Sequence, residues 1–512
     1  MSKKKLNITN PQSLIYDNPL LTITVLGGIK LDGLDRMRTT LKIDLKNSSV
    51  PAIRHNLDLY NDNQVDKLVR KCAKRLEVGI SVLEACIAEL TEQLEIYRLD
   101  QLKIIESTKP KIKALSASER KQAEAFLKQE NLLQHTNELI GQAGLVGEEN
   151  NRLLMYLIFT SRKREQPLHI VSLGSSGTGK THLQEKIGTL MPPEDVIEIT
   201  TLSENAFYYF GQRELKNKLI LIEDLDGAES SLYPLRELQS KKKISKTIAH
   251  KNTKGETRTI HLVVEGPVSV SGCTTQEQIY EDNANRSFLI YLDETKEQDN
   301  KVMQYQRRFA AGKINQEKQQ QAKTLLQNAQ RLLQPINIIN PFAELLHIPE
   351  QVLKPRRTNN HYLQFIELVT HYHQYQREIK ANQDTAETFI ETTLEDVELA
   401  NRLLKDSLIR KSDELSGACR QYLENIKDYL LQHGEKAFSN QQIRKAFRIH
   451  PSNQKRYNLS LIANHYIRKV KGKKGQAYLY EIVSPQEFNR LNNHIDKVLE
   501  ENLERCKQFT GS

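Results

Sequence analysis

The residues Gly174-Ser175-Ser176-Gly177-Thr178-Gly179-Lys180-Thr181 match the spacing G-x-x-x-x-G-K-[ST]. That pattern suits a nucleotide's phosphates. Small residues let successive backbone N–H groups curl around a β-phosphate, and a helix start adds its positive end. Lys180 is placed to reach the β/γ oxygens and the Thr181 hydroxyl to hold Mg²⁺, with His182 bordering the cradle. The flanks agree: 168–173 reads as a buried strand and 182–190 as a helix. ATP and Mg²⁺ are therefore the expected cofactors.

Hydrolysis also needs an acidic partner strand. Leu219-Ile220-Leu221-Ile222-Glu223-Asp224 supplies four apolar residues ending in two carboxylates. One carboxylate can hold the Mg²⁺ shell and the other polarise the attacking water. Either Glu223 holds the metal and Asp224 is the base, or the pair shares both tasks. A third strand, 268–275, ends in Thr274 and Thr275, and Thr275 is the candidate sensor of a γ-phosphate. Arg286 stands just ahead of an edge strand and suits an arginine finger, a fixed charge offered to a nucleotide on a neighbouring subunit. Arg357, beside Arg356, is a second candidate.

Two basic segments lie outside these strands. Residues 241–264 read as a β-hairpin with a Gly-bearing turn at 251–256, carrying Lys251, Lys254 and Arg258 near its tip. Residues 436–480 contain eleven Lys or Arg and no Asp or Glu. They read as a helix capped by Ser439, a turn, a helix over 453–466, and a two-stranded wing. Asn453, Gln454, Lys455 and Arg456 would enter a major groove, and Lys469, Lys471, Lys473 and Lys474 would take backbone phosphates. A threaded strand would meet the hairpin lysines in the same way. DNA is the expected partner.

The elements that must position these residues can be read more coarsely. The 512 residues, 27% of them charged, divide into an N-terminal α+β domain (1–105), a polar linker (106–131) and an α/β core (132–299). A helical region (300–420), a winged-helix module (421–484) and a final helix with tail (485–512) follow. Leu76, Ile80, Leu83, Ile87, Leu90, Leu94 and Tyr97 step by four and three, a seam for the domain's own core or for self-association. No apolar run approaches the ~18 residues of a membrane span, and the basic start has no apolar signal core. A cytoplasmic location without a membrane partner is expected. The five cysteines form no C-x-x-C pair, so neither zinc nor a disulfide framework is expected. A net charge of +10 fits a polyanionic partner.

The run Ile222-Glu223-Asp224-Leu225-Asp226 resembles the Ile-Asp-Glu-Phe-Asp strand of minichromosome-maintenance-type AAA+ helicases. The basic hairpin, the 286–293 segment and a trailing winged helix occur in the same order there. Residues 15–380 more closely resemble the ATPase part of zinc-finger primase-type proteins of bacterial mobile elements. The runs 147–154 (Gly-Glu-Glu-Asn-Asn-Arg-Leu-Leu), 233–240 and 280–287 carry that likeness. The primase cysteine pattern is missing, so no primase activity is implied. The resemblance implies an AAA+ core with a helical lid, assembled as a homo-oligomeric ring, hexameric in form, that drives DNA translocation or unwinding. The alternative is an AAA+ regulator that switches its assembly state on DNA.

Overall fold

Apolar residues alternate along 13–58, and there four strands, joined by a short fifth at 6–7, form an antiparallel meander in which one face of each long strand is buried. The computed structural model describes all residues except 1–5, 32–35, 109–112, 175, 201–204, 227–231, 252–256, 276–285, 353, 382–386, 471–477, 484 and 512. For 102–108, 248–251, 257, 258 and 260 it describes the backbone alone. Contacts divide the chain into two units, 1–112 and 113–512.

In the first unit, strands β1 (Leu6–Asn7), β2 (Ser13–Asp17), β3 (Leu21–Leu26), β4 (Arg38–Leu45) and β5 (Ile53–Asp58) lie in chain order. Helices α1 (Asp62–Leu76) and α2 (Ile80–Thr108) cover their apolar face. Leu83, Ile87, Leu90 and Leu94 of α2 are buried in this core. The seam thus packs inside its own unit, with Ile80 left half exposed.

The second unit begins inside the stretch expected as a linker. Helix α3 (Ala117–Leu127) starts at Ser116, whose hydroxyl and Glu119 form a capping box, and it buries Ala123, Phe126 and Leu127. Three apolar residues on one face suffice to anchor it, although the stretch as a whole is polar. Helices α4 (Leu132–Gln142) and α5 (Glu149–Thr160) follow.

Five parallel strands form the centre: β6 (Ile170–Leu173), β7 (Val196–Ile199), β8 (Lys218–Ile222), β11 (Val268–Thr274) and β12 (Phe288–Tyr291). Their spatial order is β12-β6-β11-β8-β7. Both faces are covered, which is why these strands read as near-continuous apolar runs. Leu219, Leu221, Phe288 and Ile290 face one cluster, whereas Val171, Ile220, Ile222 and Val270 face another. Helix α6 (Lys180–Gly188) follows β6, and α7 (Leu232–Lys241) leads into the hairpin β9 (Lys243–Lys251) and β10 (Thr257–Glu265).

Helices α8 (Lys296–Ala310), α9 (Gln316–Leu332), α10 (Pro355–Tyr372) and α11 (Leu394–Ser412) form the region expected to be helical. It also holds a small sheet, β13 (Asn337–Ile339), β15 (Thr388–Glu391) and β14 (Lys380–Ala381), which the sequence reading missed. These strands are two to four residues long and give no periodic signal. Helix α12 (Gly417–His433), β16 (Ala437–Ser439), α13 (Asn440–Phe447), α14 (Pro451–Ala463), β17 (Ile467–Val470) and β18 (Leu479–Ile482) share one core. Helix α15 (Glu487–Gly511) returns to pack Ile495, Leu499 and Cys506 into the main core. Among the described residues, no helix is long and apolar enough to cross a membrane.

Candidate nucleotide site

The glycine-rich loop leaves β6 and enters α6 with Gly174, Gly177 and Gly179 all at positive φ, at 145°, 86° and 94°. Side chains rarely adopt that backbone, and it turns loop N–H groups inward. Lys180 is buried, and its Nζ donates to the Gly174 carbonyl at 2.8 Å. A phosphate oxygen could take over that hydrogen bond, so the cradle fits a nucleotide's phosphates. Thr181 is half-buried and His182 exposed beside it, while Ser175 lies outside the described residues.

The two carboxylates stand at the end of β8. Glu223 is half-buried and its Oε1 accepts from Thr200 Oγ1 at 3.2 Å; Asp224 is exposed and its Oδ1 accepts from the Asp226 N–H at 2.8 Å. The buried Cys273 thiol, pushed up to about 12 by desolvation, senses the Thr181 hydroxyl and the charges of Lys180 and Asp224. The metal-holding candidates therefore converge around one strand end.

Two features escaped the sequence reading. Gln184 is fully buried; its Nε2 donates to the Ile222 carbonyl at 3.1 Å and its Oε1 accepts from Ser271 Oγ at 2.7 Å. It locks α6 to β8 and β11. Asp226 holds the end of β11: Thr274 Oγ1 donates to Oδ1, and Thr275 donates to Oδ2 through N at 3.0 Å and Oγ1 at 2.7 Å. The Thr275 hydroxyl proton is thus engaged by a carboxylate. A phosphate oxygen, itself an acceptor, would have to compete for it.

The run 147–154 has a positioning role. Glu148 accepts from the Asp293 N–H at 2.7 Å and from Asn151 Nδ2 at 2.6 Å, and Asn151 Nδ2 also donates to the Tyr291 carbonyl at 2.9 Å. Burial raises the Glu148 carboxyl above its ordinary range. These bonds staple the start of α5 to the end of β12. Beside them opens a cleft of about 790 Å³, bounded by Gly174, Tyr291, Arg410, Gln421, Asn453 and Tyr457 among others.

Both candidate arginines lie at the opposite end of the sheet. Arg286 precedes β12, where Phe288 pairs with Ile170 at the start of β6, whereas the P-loop follows the end of β6. The four residues of β6 alone span about 13 Å. Arg286 and Arg357 line one cavity of about 350 Å³, with Lys242, His169, His361 and Gln239 among its walls. None of its described lining residues is acidic.

The hairpin forms with β9 and β10 in continuous antiparallel register, from Lys243↔Glu265 to Lys251↔Thr257. Lys254 lies outside the described residues, and only the backbones of Lys251 and Arg258 are described. In the C-terminal module, Lys436, Arg444, Lys445, Arg448, Lys455, Arg456, Arg468 and Lys469 are all exposed. Lys471, Lys473 and Lys474 lie outside the described residues. The start of α14 departs from the groove-reading expectation. Gln454 is buried, donating to Asn440 O at 2.9 Å and accepting from Arg444 at 3.2 Å. Asn453 lines the cleft beside the P-loop. Hydrogen bonding inside the module and the packing of α14 decide both, and neither is visible in local sequence.

A family model described as the MTBMA_p00010 P-loop domain matches residues 116–335. The match begins at the cap of α3 and ends just beyond α9, so it takes in the helix that a linker reading would have excluded. No curated protein matches the chain. Among solved structures, the chain is similar to a full-length MCM homolog from Methanopyrus kandleri. That similarity is 11% identity and a TM-score of 0.38, over 80% of this chain and 76% of that one.

Proposed function

We propose that the chain is an AAA+ ATPase that assembles head to tail into a ring, hexameric in form, and couples ATP hydrolysis to DNA translocation or unwinding. The mobile-element resemblance assigns that work to replication or transfer of such an element. ATP would sit on the P-loop, Thr181 and the Glu223–Asp224 pair would hold Mg²⁺, and the ion would supply charge neutralisation at the phosphates. Lys180 binds the β/γ oxygens, and one of the two carboxylates accepts the proton of the attacking water.

The observation that carries this reading is a separation. Arg286 and Arg357 share a cavity at the sheet end away from their own P-loop, beyond an arginine's reach of it. A nucleotide served by cations so placed is one carried by another copy. A second copy docking there completes the site, and repetition of that head-to-tail contact closes a ring. The basic hairpin springs from the same sheet end, and the basic segment 436–470, itself without Asp or Glu, supplies a further polyanion contact, with the layout of a winged helix.

The test is ATP hydrolysis with and without single- and double-stranded DNA, alongside strand displacement. DNA should stimulate hydrolysis, Lys180→Ala should abolish it, and Lys251→Ala/Lys254→Ala should keep the basal rate while losing stimulation. Hydrolysis indifferent to DNA would overturn the reading. A second reading, a DNA-binding regulator that switches assembly state without unwinding, draws support from the cleft. There Asn453 and Tyr457 of the C-terminal module face Gly174 across one cavity, a route from nucleotide to module. DNA-stimulated hydrolysis without strand displacement would favour it.

A further inference from the structure

The basic cavity reaches the root of the hairpin. Half-buried Lys242 lines it together with Arg286 and Arg357. The same residue joins α7 to both hairpin arms. Its N–H donates to the Leu238 carbonyl at 3.0 Å, which closes the helix. Its carbonyl accepts from the Gly266 N–H at 2.7 Å, just below the first hairpin pair, Lys243↔Glu265. Its φ of 57° turns the chain out of the helix and into the strand. The opposite wall is one face of α10: Arg357, Asn360, His361 and Gln364, spaced i, i+3, i+4 and i+7. Burial first, then neighbouring cations, pushes His169 and His361 down to about 3, so both rings are neutral near pH 7. The cavity's charge there comes from Lys242, Arg286 and Arg357, and its 350 Å³ admits a phosphoryl group.

We propose that Lys242 is a third cation for the terminal phosphates of a nucleotide bound on a second copy, and that through it their presence sets the hairpin's position. This rests on the trans role of Arg286 argued above. A phosphate drawn to Lys242 pulls on a residue that links α7, β9 and Gly266. When the product leaves, that pull ends and the root relaxes. The hairpin of one copy is thereby governed by the nucleotide of its neighbour.

Lys242→Gly tests this without backbone strain, because glycine favours positive φ; Lys242→Asn is a second neutral variant that tolerates it. With ATP, Mg²⁺ and single-stranded DNA, both variants of the full chain should lose DNA-stimulated hydrolysis roughly 10²-fold. Lys242→Arg should retain most of it. Mixing Lys242→Gly with Lys180→Ala should recover hydrolysis, since the second protein offers an intact cavity to the first protein's nucleotide. Wild-type rates and stimulation in both neutral variants would overturn the proposal. So would a loss that mixing does not recover while an Arg286→Ala/Lys180→Ala mixture does recover. If neither mixture recovers, the trans reading itself falls, and the role of Lys242 falls with it.

Discussion

Glu223 and Asp224 share one strand end but not one environment, since Thr200 holds Glu223 whereas Asp224 is exposed. Glu223→Gln and Asp224→Asn should each lower hydrolysis at least ~10²-fold, within the range that general acid–base catalysis supplies. The metal-holding member is the one whose amide variant also loses the Mg²⁺ dependence of nucleotide binding, measured by titration calorimetry. Unchanged hydrolysis in both variants would remove the pair from the mechanism. Gln184 carries a structural prediction. Gln184→Leu strips a partner from the Ile222 carbonyl and from the Ser271 hydroxyl inside the core. It should cost about 1–3 kcal/mol in denaturant unfolding, the penalty for buried polar groups left unsatisfied. A loss below that range would mean the pocket rehydrates or relaxes. The P-loop and carboxylates were legible because fixed spacing on contiguous chain creates them. Gln184 was not, because its partners lie 38 and 87 residues away.

At the scale of elements, the contact between α12 and the edge strand matters most. A Cβ built on Gly417 would lie 2.2 Å from the Tyr291 ring, and the Arg410 guanidinium stands over that ring at 4.9 Å. The C-terminal module is thus seated on the strand whose end borders the nucleotide cleft. Gly417→Ala should destabilise by about 1–3 kcal/mol through overpacking, although alanine is otherwise the better helix residue. An unfolding midpoint equal to or above that of the unmutated protein would show that the seat is loose. The hairpin was legible in the sequence because alternation flanked a Gly-bearing turn. Helix α3 was not, because only three of its residues turn inward and the rest match a linker's composition.

For the molecule as a whole, three histidines, His169 and His371 buried and His361 half-buried, set an acid limit. Burial, the largest cause, pushes His169, His361 and His371 each down to about 3. The unfolded chain takes up those protons near pH 6.5, whereas the native state refuses them until about 3. Stability from these groups is therefore present above pH 6.5 and falls as pH drops below it. Each contributes up to about 1.4 kcal/mol per pH unit. Denaturant midpoints measured from pH 7.5 to 4.5 should fall, and His371→Gln should flatten that dependence by about one proton. A flat profile would mean these rings are solvated in the native protein.

The sequence by itself determined the P-loop, the acidic strand end, the hairpin and the basic C-terminal segment, since each is written in neighbouring residues whose spacing directly imposes a local geometry. Only the tertiary structure decided which of these meet. Parallel pairing sends the P-loop and Arg286 to opposite ends of one sheet. Packing brings Lys242, Arg286 and Arg357 from three distant segments around one cavity, and turns Asn453 toward the cleft at Gly174. Long-range burial makes those choices, and no window of sequence contains both partners.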